Sequence, residues 1–117
     1  MPDWEQTLRD EFGAEEGSFL IRLRIELEWD RAAFTRLTQA MEECCRARAD
    51  EDLLPRWMAE GFWYVPSFTR GHTNHPAWKS YLATDPDYYK AGRERLDDLA
   101  FWFFLGESPS LLPFAPL

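Results

Sequence analysis

The sequence predicts an all-α fold, a small bundle of about four helices with an extended Pro-rich C-terminal strap. Three observations carry this. Apolar residues recur at steps of three and four through most of the chain. Capping residues and prolines punctuate those stretches where helices begin. Only one other segment, Phe62-Trp63-Tyr64-Val65, is β-like enough to partner a strand, and Pro66 cuts it.

The first helix is expected from Asp3, an N-cap, to about Phe12. Trp4, Leu8 and Phe12 make its stripe, and Gly13 supplies its stop. The next segment reads two ways. Phe19, Ile21, Leu23, Ile25, Leu27 and Trp29 alternate with neighbours that are mostly polar, the period of a half-buried strand, which would make the fold α+β. The helical template runs further: Leu20, Leu23, Leu27, Asp30, Phe34, Leu37, Met41 and Cys44 step by three and four without a slip. Arg22 with Glu26 and Arg24 with Glu28 then become i,i+4 pairs of opposite charge. A helix from Ser18 to about Arg48 follows, with a kink or short break near Trp29-Asp30, because Asp30 is itself a good cap.

Pro55 suits the first turn of a further helix running to about Tyr64, with Pro66 ending it. Residues 68–78 read as loop, and a short turn of helix is expected over Trp78–Leu82. Asp85 and Pro86 open the last helix, and Gly106 closes it. Its stripe is Tyr89, Gly92, Leu96, Leu99 and Phe103. The expected core comprises Leu20, Leu23, Leu27, Phe34, Leu37, Met41, Trp57, Leu96, Leu99 and Phe103. Residues 1–117 are expected to form a single helical domain, with 107–117 a tail packed on that domain or on a neighbouring subunit.

Composition narrows the classes of function. The 117 residues carry a net charge of −8, which disfavours duplex nucleic acid as a partner. Residues 1–60 hold 8 basic and 15 acidic side chains, whereas residues 61–117 hold 5 and 6, so the acidity lies in the first half. No apolar run reaches the roughly 20 residues of a membrane span. The start, Met1-Pro2-Asp3-Trp4-Glu5, lacks the basic and apolar regions of a secretory leader, so the expected location is the cytoplasm. The two cysteines, Cys44 and Cys45, are adjacent and ill placed for a structural disulfide; one is expected to face the core and the other its edge.

No catalytic signature is present: no P-loop, dinucleotide fingerprint, nucleophile elbow or HExxH helix. The expected function is therefore a non-enzymatic protein-binding module acting on a basic partner, as an adaptor or as an inhibitor of the bacterial immunity type. Glu42, Glu43, Asp50, Glu51 and Asp52 form its expected acidic edge, which would speed encounter and set specificity. A second expectation is an enzyme or a small-ligand or metal-binding protein centred on the loop around Arg70, His72 and His75, flanked by Trp63, Tyr64 and Trp78, since such a loop combines cations with flat rings. His72 and His75 could share a metal only with a third ligand such as Asp97 or Glu60, so neither metal nor cofactor is expected. A third is a homo-oligomeric structural subunit, joined through Leu99–Leu105 and the apolar tail residues Leu111, Leu112, Phe114 and Leu117.

Overall fold

A computed structural model describes residues 3–117. Met1 and Pro2, which begin the segment expected not to be a leader, lie outside the described residues. Among the described residues the chain is mostly helical, with six α-helices and no strand: α1 Asp3–Phe12, α2 Phe19–Ile21, α3 Arg31–Arg48, α4 Arg56–Thr73, α5 Lys79–Leu82 and α6 Pro86–Leu105. No helix among them is long and apolar enough to cross a membrane.

The four longer helices close a ring around the core. Helix α1 lies on α3, α3 on α6, and α6 on α4. The ring closes where the Phe12 side chain of α1 lies on Gly61 of α4 and meets the Phe62 ring edge-on at 5.5 Å. A β-carbon at Gly61 would sit 2.0 Å from the Phe12 ring, so only glycine allows this approach. Inside the ring, Leu8, Leu37, Met41, Met58, Phe62, Val65, Leu96 and Leu99 are fully enclosed.

The expected helix over residues 18–48 is interrupted over residues 27–30, close to the break anticipated near Trp29-Asp30. Ser18 caps α2 as anticipated, its Oγ accepting from Ile21 N. The helix then widens into a π turn over Arg22–Glu26 and stops at Leu27, which takes a left-handed conformation (φ 52°). The cause is Trp29, which turns into the core at 2 % exposure against Phe19, Phe34 and Tyr89. Its backbone N–H donates to the Tyr81 hydroxyl at 3.0 Å, and its indole N–H to that of Tyr88 at 3.2 Å. Asp30 then caps α3 through Ala33 N. Leu27, expected in the core, is 49 % exposed because the break turns it outward, and Trp57 is only half-buried beside Phe12. Arg22 pairs with Asp30 and, more distantly, Glu28, across the break, rather than with Glu26 along a helix.

Two further corrections concern helix ends. Pro66 does not stop α4, which runs to Thr73 and takes in the first part of the expected loop. Pro66 forgoes one backbone bond, but Val65, Thr69 and Thr73 on the same face are buried, and packing outweighs that loss. At the end of α1 the left-handed residue is Ala14 (φ 52°), not Gly13. Both cysteines are buried, Cys45 as well as Cys44, because Cys45 packs under α6 with its thiol donating to Leu99 O at 3.5 Å. Gly106 closes α6 at φ 81°, and the following segment returns along the bundle. There Phe114 meets Trp102 at 6.2 Å, Arg95 donates to Ala115 O, and Thr35 donates to Leu117 O.

Candidate functional site

The side chains expected to share a pocket on the 68–78 segment are dispersed. Because α4 continues to Thr73, Arg70 and His72 stand two helical positions, about 200°, apart and leave opposite flanks. Arg70 forms an ion pair with Asp97 of α6. His72 stacks on Phe68 at 5.1 Å, meets the edge of Trp78 at 5.8 Å, and places Nε2 3.0 Å from Leu23 O. A carbonyl can only accept, so that nitrogen is the protonated one. His75 caps the short 3-10 turn Pro76–Trp78, its Nδ1 accepting from Ala77 N at 3.0 Å. Trp78 is buried, and its indole N–H finds no acceptor among the described residues. No group of three His, Cys, Asp or Glu side chains among the described residues is placed to hold a metal ion.

Trp63 and Tyr64 are the rings of that set left at the surface, 65 % and 41 % exposed, alongside the exposed Arg70 and His75. They border an open groove of about 490 Å³ between α1 and α4, floored by Phe12, Gly61 and Trp57 and edged by Arg9 and Glu60. The Arg9 guanidinium lies 4.2 Å above the Trp57 ring, a cation–π contact that fixes one wall.

The expected acidic edge is partly neutralised. Glu42 pairs with Arg46 at 3.0 Å and Glu51 with Arg48 at 2.6 Å, one helical turn away in each case. Glu43, Asp50 and Asp52 are exposed.

A denser negative site lies where sequence reasoning did not look. The end of α1, the turn after it and the break before α3 enclose a polar cleft of about 420 Å³. Asp10, Glu11, Glu15, Glu16 and Asp30 line it, against the two guanidinium groups of Arg22 and Arg36. Glu11 anchors it with a side chain only 4 % exposed. One carboxylate oxygen accepts from Phe19 N at 2.9 Å, satisfying a free donor at the start of α2, and the other accepts from Arg36 at 3.3 Å. Arg36 also donates to Gly17 O, so acid and base together hold the turn. Burial raises the pKa of Glu11 more than Phe19 N–H and Arg36 lower it. Glu15 and Glu16 stand exposed at the mouth. The signal was the Glu15-Glu16-Gly17 run, which reads as linker until the fold brings Asp10, Asp30 and Glu11 beside it.

Thr7 and Ser18 bring hydroxyls to the cleft, but Ser18 Oγ caps α2 and neither is hydrogen-bonded to a carboxylate among the described residues. What it offers chemically is fixed negative charge around a recess deep enough for a cationic side chain. Searches of protein-family models, curated proteins and solved structures find no match to this chain.

Proposed function

We propose that the chain is a non-enzymatic protein-binding module that receives a basic segment of another protein in the cleft between the end of α1 and the start of α3. The carrying observation is the convergence there of five carboxylates on two guanidinium groups, with Glu15 and Glu16 open to solvent. A lysine or arginine of the partner would enter between Asp10, Glu15 and Glu16, with Arg22 and Arg36 already committed to Asp30 and Glu11. In this reading α1, α3, α4 and α6 are the four helices of a cytoplasmic scaffold. The Pro-rich segment 107–117 is a strap that stiffens its far side, and Glu43, Asp50 and Asp52 add long-range attraction.

The test is selection of a random displayed peptide library against the purified chain, followed by binding of the enriched synthetic peptides. The expected result is enrichment of Lys and Arg, binding that weakens as salt rises, and a loss of about tenfold or more in the Glu15→Lys/Glu16→Lys variant. Both substituted residues are exposed and make no ion pair among the described residues, so the variant is expected to keep its fold. Enriched peptides without basic residues, or binding indifferent to salt and to the charge reversal, would overturn the proposal.

A further inference from the structure

A second surface is unlike the rest of the molecule. The Phe62–Phe103 stack (4.1 Å, 3°) and the Arg70–Asp97 ion pair hold α4 and α6 antiparallel in one register. That register sets Trp63 level with Phe104 on the outer side of the pair. Helical spacing places Phe101 and Leu105 beside Phe104, facing away from the buried stripe Leu96, Leu99 and Phe103. Trp63 is 65 % exposed, Phe101 and Phe104 45 % each, and Leu105 63 %. Together these four side chains present a largely apolar surface.

We infer that this face is the interface of a two-fold dimer, occupied by the same face of a second copy of the chain. Two features select that occupant. The first is charge. Arg70 and Asp97 neutralise one another, as do Lys90 and Glu94, and residues 61–117 as a whole carry only −1. A basic partner has little to meet here, and a second acidic chain meets little repulsion. The second is size and shape. A standard interface buries roughly 800 Å² per partner, and in homodimers about two-thirds of that area is non-polar. The exposed rings and leucine match such a centre, and two long antiparallel helices facing their own copy make a four-helix layer, a self-complementary arrangement. Trp63 with Phe101 and Phe104 supplies the aromatic side chains in which such contacts are enriched.

Sedimentation equilibrium of the full chain tests this. Wild type is expected at twice 13.8 kDa at concentrations up to about 0.1 mM, dissociating on dilution. The Phe101→Glu/Phe104→Glu variant is expected at 13.8 kDa with its helical circular dichroism intact. Because that variant could lose its fold, Leu111→Asp/Leu112→Asp provides a second reading. Those leucines are exposed on the tail, so the variant should remain dimeric, whereas an interface built on the tail would come apart. A monomeric wild type, a dimeric Phe101→Glu/Phe104→Glu protein or a monomeric tail variant would each overturn the inference. The charge-reversed Glu15→Lys/Glu16→Lys chain should still dimerise, so failure here and failure of the basic-partner proposal are separate results.

Discussion

Substituting Gly61 by alanine sets two effects of opposite sign against each other. On helix propensity alone, alanine in the interior of α4 gains about 1 kcal/mol. The new methyl would lie 2.0–2.3 Å from three carbons of the Phe12 ring, far inside contact distance. Phe12 must therefore leave its seat, giving up edge contacts with Phe62 at 5.5 Å and Trp57 at 6.3 Å. Overpacking of this kind costs about 1–3 kcal/mol, and the aromatic contacts contribute about 0.5–1.5 kcal/mol each. Mid-range values leave a net loss of about 3 kcal/mol, or a fall in Tm of roughly 12 °C for a chain of this size. Urea and thermal unfolding of Gly61→Ala measure it, and Phe12→Ala in both backgrounds completes the cycle. With the ring removed, Gly61→Ala should become stabilising by up to about 1 kcal/mol, giving a coupling of about 4 kcal/mol. A Gly61→Ala protein as stable as wild type, or a cycle without coupling, would refute the closure of the ring between α1 and α4.

Three other outcomes follow from particular contacts. Tyr81→Phe strands the buried Trp29 backbone N–H and should cost about 1–3 kcal/mol in urea unfolding; unchanged stability would show that the 27–30 break is held otherwise. Burial pushes the Cys44 thiol up to about 12 and raises Cys45 as well, so neither should react with a thiol-specific disulfide reagent near pH 8 until the chain unfolds. A fast single equivalent of labelling in native protein would contradict the packing of that pair. The third concerns Glu11, whose folded pKa lies above the unfolded 4.5. The folded chain holds that proton more tightly, so the group's contribution is greatest below pH 4.5 and declines as pH rises through the raised folded value. Thermal scans between about pH 4 and pH 8 should show this decline in wild type relative to Glu11→Gln; a difference that is flat, or that grows with pH, counts against a desolvated carboxylate.

What the sequence made legible was mostly local. Asp85, Pro86 and Gly106 bound α6 where they stand, and its stripe of Tyr89, Gly92, Leu96, Leu99 and Phe103 is buried throughout. Ser18 and Asp30 are caps in the structure as in the sequence. These features act within one or two turns, so spacing alone reveals them. The break at Leu27 is different in kind. It depends on Tyr81 and Tyr88, more than 50 positions away, receiving the two N–H groups of Trp29. The cap at Asp30 announces a break near Trp29-Asp30, but both short-range templates over residues 19–29 missed its form, because neither period places Trp29 inward and Leu27 outward. Pro66 failed as a stop for a related reason: its local cost is fixed, but the burial of Thr69 and Thr73 that offsets it is a tertiary fact.

The same distinction governs the candidate sites. Grouping Arg70, His72 and His75 assumed that residues close in sequence converge in space, which holds in a loop and fails on a helix, where positions two apart diverge. Once α4 extends through Arg70 and His72, and His75 caps the 3-10 turn beyond it, each takes a structural partner: Asp97, Leu23 O and Ala77 N. The acidic cleft arises by the opposite route. Glu11 and Asp30 are separated by a turn, a short helix and a break, and Trp29 must enter the core before Asp30 can reach Arg22 beside them. The side chain that ends the second helix therefore also gathers the negative charge. This links two measurements that would otherwise be unrelated: Tyr81→Phe, by loosening Trp29, should weaken capture of a basic peptide even though Tyr81 does not line the cleft. Full affinity in a Tyr81→Phe chain that has lost stability would show that the cleft forms independently of the break.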